Sequence, residues 1–186
     1  MRWSRTYPRV ANPLHRNRKS HCGVGSRADL TESVDRFRQL FRVGWGDLDG
    51  NHHMANRAFL DRAADTRVLF FAQNGFSVSR FATERIGPVI VRDELVYRKE
   101  LRLMDEFTVD LELLGLSSDG TRIAMSNTFR IGNDELVATV RSEGLWFDLD
   151  KRRPRPPPPE LDAVQRKMPR GEGFKELPSR GSSKSS

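Results

Sequence analysis

The 186-residue chain has little cysteine and no long apolar run. Its single cysteine, Cys22, rules out an intramolecular disulfide and would leave a zinc cage in need of other ligands. No stretch approaches the roughly 20 apolar residues that cross a bilayer. The first thirty residues lack the apolar segment of a secretory signal. A reducing, cytoplasmic setting is the expectation. Acidic residues are missing from the first 28 positions, which carry Arg2, Arg5, Arg9, Arg16, Arg18, Lys19 and Arg27. An Arg-rich, acid-poor start is also the composition of an organelle-targeting peptide. Pro8 and Pro13 interrupt any amphipathic helix there, so residues 1–35 read as a disordered basic leader, with targeting as the alternative.

The formal net charge of +7 is unevenly placed. Residues 1–35 hold seven Lys/Arg against three Asp/Glu, residues 36–150 hold 15 against 18, and residues 151–186 hold ten against four. The ends are basic and the middle is slightly acidic, so a basic domain face for nucleic acid is not supported. The tail opens on KRRPRPPPPELD from Lys151. Its run of prolines reads as a polyproline spacer, and the Gly/Ser-rich end reads as disordered. The expected organisation is a domain over residues 36–150 between a basic leader (1–35) and a Pro-rich basic tail (151–186).

Within that domain the periodicity changes in order. RFRQLFRVGW alternates, with Phe37, Phe41, Val43 and Trp45 on one face, and predicts a strand. From about Asn56 to Asn74 the spacing turns helical, with Leu60, Ala63, Ala64, Val68 and Phe71 as an apolar stripe and Gly75 as a stop. Four strand-like segments follow. Val89, Val91, Leu95 and Tyr97 share a face of the first. Phe107, Val109, Leu111 and Leu113 point inward in the second. TRIAMSNTFRI and ELVATVRSEGLWFDL complete the set. Asp119-Gly120 and Gly132-Asn133-Asp134 mark turns. One strand, one long helix and a four-strand meander predict an α+β layer architecture. A lone sheet leaves a helix face or an edge uncovered, and a homo-oligomer would cover it.

The polar stretch GWGDLDGNHHMANRAFLDRA, Gly44 to Ala63, lies where the first strand hands over to the helix. The first N–H groups of a helix have no internal acceptor and carry partial positive charge. They stabilise an oxygen on which negative charge develops. A carboxylate beside them could attack an acyl carbonyl or activate water to do so. Asp47 and Asp49 are the available carboxylates, and their spacing in extended chain lets only one face a pocket. The alternative for Asp49 is a turn or capping aspartate, and for His52 and His53 it is ordinary surface hydrogen bonding. Asp47-x-Asp49-x-Asn51 mimics a calcium loop, but His52 stands at its sixth position and Ala58 at its twelfth. Adjacent histidines also lack the i,i+4 spacing of zinc hydrolases. Neither a metal nor a cofactor is expected.

These residues resemble the hot-dog fold acyl-CoA thioesterases of the hydroxybenzoyl-CoA type, whose signature reads roughly W-G-D-x-D-x-x-G-H-V-N-N-x-x-Y-L. The counterpart here is Trp45 to Leu60, and the similarity extends through VIVRDELVYRKELRLMDEFTV to the proline-rich exit. The resemblance implies one long central helix wrapped by a five-stranded antiparallel sheet, and hydrolysis of an acyl-CoA or acyl carrier protein thioester by a homodimer or homotetramer. It implies Asp49 as the catalytic carboxylate. Asp47, His53 and Asn56 become supporting or substrate-positioning residues, and the backbone of Met54, Ala55 and Asn56 the oxyanion site. His52 replaces the usual Gly, Ala55 the first Asn, Phe59 the Tyr, and Met104 the Gly before Asp105. Asp61 and Asp65, on the helix, are alternative carboxylates, and they also suit its wet face, where Arg57 and Asp61 are spaced for an i,i+4 pair. Asn127 shares an otherwise apolar face with Met125 and Phe129, so it would line the pocket or satisfy a bulge. Two other functions use the same fold. One is enoyl-thioester hydration, whose Asp-x-Asn-Pro-x-His pattern is absent here. The other is acyl-CoA binding without hydrolysis.

Overall fold

The structure, a computed structural model, describes residues 36–179. The leader and the last seven residues lie outside the described residues. The first strand, β1, runs Phe37–Arg42 and pairs with β3. It is shorter than the alternation predicts. Val43 is buried in the core, and the chain then turns into a short 3-10 segment at Trp45–Asp47 that leaves Trp45 77% exposed.

Helix α1, Asn56–Gln73, has the expected extent, and Gly75 follows its end at φ +99, a backbone that glycine adopts without penalty. Its buried face is rotated from the expected stripe. Ala63 and Phe71 of that stripe are buried, together with Phe59, Thr66, Arg67 and Phe70, whereas Leu60, Ala64 and Val68 lie toward the open side. The choice follows size, because Phe59 and Phe70 remove more apolar area from water than Leu60 and Val68 would. Phe59 packs on Tyr97 and Phe129, and Phe70 on Phe37.

After α1 come a one-and-a-half-turn helix, α2 (Val78–Thr83), and four strands: β2 (Ile86–Tyr97), β3 (Glu106–Ser117), β4 (Arg122–Ile131) and β5 (Glu135–Asp148). The antiparallel order is β1-β3-β4-β5-β2. This differs from a simple meander, since β2 crosses over to pair with β5. The curled sheet wraps α1, giving the α+β hot-dog fold. The turns at Gly120 (φ +72) and Gly132 (φ +56) close the β3–β4 and β4–β5 hairpins. In β2 the register with β5 skips Val91. This bulge reverses the alternation, so Pro88 and Ile90 share the inner side with Asp93, Leu95 and Tyr97. The expected face of Val89, Val91, Leu95 and Tyr97 is therefore split, and Val91 is 61% exposed.

The segment after Lys151 departs from a disordered spacer. Arg153–Pro154 forms a short strand, β6, against β5. Pro159 opens a helix, α3 (Pro159–Gln165), at a first-turn position where its missing N–H costs no bond. Leu161, Val164 and Met168 enter the core beside Trp146, whose Nε1 donates to Gln165 Oε1 at 2.8 Å. The strand β7 (Arg170–Leu177) then runs parallel to β3. Buried apolar side chains spaced behind the prolines override the composition of the segment.

Candidate functional site at the start of the long helix

The loop between β1 and α1 is held by its two aspartates in different ways. Asp47 is buried; its Oδ2 accepts the Gly44 N–H at 2.8 Å, and Arg62 Nη2 reaches both its oxygens, at 3.0 and 3.2 Å. It ties the turn to α1. Asp49 is exposed, and its Oδ1 accepts the N–H groups of Asn51 at 2.8 Å and His53 at 3.2 Å. Those bonds, the one from His53 first, hold the Asp49 carboxyl below the usual aspartate range. Its Oδ2 has no protein donor among the described residues.

His52 sits in the turn at φ +64, and Met104 at φ +71. Both stand where the hot-dog signature has glycine, and both adopt the left-handed backbone that glycine would supply.

The three amides expected at the oxyanion site differ. Met54 N–H donates to Leu101 O at 2.7 Å and Ala55 N–H to Asp47 O at 2.8 Å. Both are therefore committed to the fold, which narrows the expected set. The Asn56 N–H donates to no acceptor among the described residues. The Arg57 N–H reaches only the neighbouring Asn56 Oδ1, at 3.2 Å.

A cleft of about 330 Å³ opens beside this helix start, lined by His53, Met54, Phe59, Tyr97, Arg98 and Lys99, with Glu100 at its rim. His53 Nε2 lies 3.1 Å from Glu100 Oε2. Asp49 does not line this cleft within one chain, although its bond to the His53 backbone places its loop against the wall. Asp61 and Asp65 are exposed on the wet side of α1, as their helical positions suggest. Asp65 pairs with Arg62 at 2.8 Å. Arg57 donates to Gly46 O at 2.5 Å, rather than pairing with Asp61.

A second cavity, of about 290 Å³ and almost wholly apolar, lies farther along α1 between that helix, α2 and the strands. Val68, Phe71, Phe81, Ile90 and Trp146 are among its walls, and Arg67 is its one charged residue. Asn127 is fully buried beneath α1 and accepts from Arg67 Nε at 2.9 Å. Sequence reasoning missed Arg67. The available signal was its position four residues after Ala63 and eight after Phe59, which places a cation on the helix's buried stripe. No group of three or more His, Cys, Asp or Glu among the described residues is placed to hold a metal ion. No described helix is long and apolar enough to cross a membrane.

Residues 43–165 match the family model of the thioesterase-like superfamily, and the chain belongs to that superfamily. No curated protein matches it in sequence. Among solved structures, a Staphylococcus aureus protein determined in complex with CoA is 20% identical at a TM-score of 0.64, over 83% of this chain and 92% of its own. The 1,4-dihydroxy-2-naphthoyl-CoA thioesterase of Synechocystis is 14% identical at a TM-score of 0.64, over 71% of this chain and 96% of its own. The DHNA-CoA thioesterase of S. aureus is 14% identical at a TM-score of 0.65, over 71% of this chain and 89% of its own. At these identities the likeness is one of fold.

Proposed function

We propose that the protein hydrolyses an acyl thioester, of CoA or of an acyl carrier protein, with Asp49 as the reacting carboxylate. The observation that carries this reading is the pairing of an ionised side chain with one free oxygen, Asp49 Oδ2, and an unengaged helix N-terminal donor, Asn56 N–H, in one short loop. Superfamily membership and the CoA named for the similar structures support the substrate class.

Asp49, as base toward water or as nucleophile, delivers oxygen to the thioester carbonyl. The carbonyl oxygen gains negative charge facing the Asn56 N–H and the positive end of α1. The C–S bond then breaks and the thiol leaves. With Asp49 as base the attacking water ends in the carboxylic acid, and with Asp49 as nucleophile a water hydrolyses the acyl-Asp49 anhydride to release the acid and restore the carboxylate. Asp47 keeps the turn in place through Gly44 and Arg62, and His53, braced by Glu100, forms one wall. An exposed carboxylate needs water excluded around it to act strongly. A second copy of the chain, added along β2 and the Leu60–Ala64–Val68 stripe, would provide that cover. The proposed unit is a homodimer, alone or within a homotetramer.

The test is thiol release from a panel of acyl-CoAs by the wild type and by Asp49→Asn. A loss of about 10²-fold or more in turnover is expected for the variant. Unchanged turnover would remove Asp49 from the chemistry. The exposure of Asp49 favours a second reading, an acyl-CoA binder without hydrolysis. Tight acyl-CoA binding with no thiol release by the wild type would select it.

A further inference from the structure

Arg67 is a cation in the wrong surroundings. It is 9% exposed, and its Nε and Nη2 donate to neutral acceptors, Asn127 Oδ1 at 2.9 Å and Ser142 Oγ at 2.6 Å. The carboxylate that acts on it, Asp93, is an exposed residue of β2 and is hydrogen-bonded to the intervening Ser142 hydroxyl. Burial pushes the Arg67 pKa down, and Asp93 opposes that only in part. A buried cation without a direct anionic partner is costly. Its remaining nitrogen, Nη1, donates to no acceptor among the described residues. That nitrogen is also absent from the fully enclosed unpaired atoms, which are Arg62 Nε and Arg155 Nε. Arg67, a wall residue of the second cavity, therefore carries a positive charge and a spare donor at the margin of walls that are otherwise apolar.

We propose that Arg67 binds a carboxylate at the far end of the acyl group, so that the protein prefers ω-carboxyacyl thioesters to methyl-ended thioesters of the same length. This rests on the hydrolase reading above. Arg67 lies eleven residues beyond Asn56, about 16 Å along the helix at a rise of 1.5 Å per residue. A carbonyl held at the Asn56 N–H would put Arg67 at the end of a medium-length chain, not beside the reacting bond. A methyl-ended chain would fill the cavity but leave Nη1 unpaired. A terminal carboxylate supplies the missing counter-charge and a charge-assisted hydrogen bond. In the reaction water adds across the thioester, the C–S bond breaks, and a dicarboxylate and a thiol leave, with the distal carboxylate unchanged. A free fatty acid seated with its only carboxylate on Arg67 is another source of the same chemistry.

The experiment compares suberoyl-CoA with octanoyl-CoA. In the wild type, kcat/KM is expected to favour suberoyl-CoA by about 10- to 100-fold, the range for a hydrogen bond to a charged group. The ratio is expected to fall toward one in Arg67→Gln and to survive in Arg67→Lys. The wild-type ratio decides by itself, so a variant that does not fold leaves the test intact. A ratio of one or below in the wild type overturns the proposal while leaving hydrolysis standing. If neither thioester is cleaved, the hydrolase reading fails for this acyl class, and calorimetric binding of the same two compounds decides. A Kd at least about tenfold lower for suberoyl-CoA supports the Arg67 site, and equal Kd values overturn it. Octanoate that binds wild type but not Arg67→Gln, with no preference between the two thioesters, would assign the cavity to a free acid and overturn the substrate reading.

Discussion

At position 52 the chain carries a histidine in a conformation that glycine adopts freely. The φ of +64 brings Cβ close to the following carbonyl, at a cost of roughly 1–2 kcal/mol for an L-residue. Glycine would relieve it while loosening the unfolded chain by roughly 0.5–1 kcal/mol. His52→Gly is therefore expected to gain up to about 1 kcal/mol, or about 2–4 °C in Tm for a domain of this size. Met104→Gly, at φ +71, is expected to act in the same direction. Thermal melts of both variants check this, and a lower Tm would mean that the side chains contribute contacts worth more than the strain. Three residues before His52, Asp49 sets a pH dependence. Its folded pKa is depressed by the His53 and Asn51 amides. Its contribution to loop order is thus present above the ordinary aspartate value of about 3.9 and is lost as pH falls through the lower folded value. With Asp49 as the reacting group, the acid limb of kcat/KM should lie below that ordinary value. A limb well above that value would remove Asp49 as the reacting group.

Elements that follow one local rule are readable from the sequence, and those decided by tertiary contact are not. The extent of α1 is written in its periodicity and in Gly75, and the two hairpins in Gly120 and Gly132. The face that α1 buries is not, since Leu60–Ala64–Val68 and Phe59–Ala63–Arg67–Phe70 are both plausible stripes, and only the sheet chooses between them. The bulge at Val91 leaves no composition signal. At the site, the loop and its aspartates were legible as a polar cluster before a helix. The commitment of the Met54 and Ala55 amides to Leu101 and Asp47 was not, because it depends on partners brought in by the fold. The C-terminal segment shows the same limit, with the prolines dominating its composition and Leu161, Val164 and Met168 deciding its structure. Leu161→Ala, at a fully buried position, is expected to cost about 2–5 kcal/mol. Chemical denaturation measures it. A change near zero would show that α3 does not dock on the core.

Among the described residues, the sheet and helix are covered on one side and open on another. The strand β2 pairs only with β5 among the described residues and presents its other edge along twelve residues. Val89, Ile90, Val91 and Val96 on that strand are all more than a third exposed, and so are Leu60 and Val68 on the open side of α1. An unprotected apolar edge strand invites pairing with another chain. Two copies related by a two-fold axis could join their β2 edges and continue the sheet across the boundary. Such an arrangement would also bring a second surface toward the apolar cavity that Ile90 and Val68 help to line. Val91→Lys places a charge at the bulge, where one chain leaves the side chain 61% exposed and the joined edge would crowd it. The variant is expected to shift the protein toward monomer in sedimentation equilibrium. Its fold should be retained, because Val91 contributes little to the core of a single chain. If joining the edges also excludes water from Asp49, thiol release should fall together with the dimer and recover as protein concentration rises. A Val91→Lys protein that is monomeric yet fully active would separate assembly from catalysis, and would place the whole reacting site within one chain.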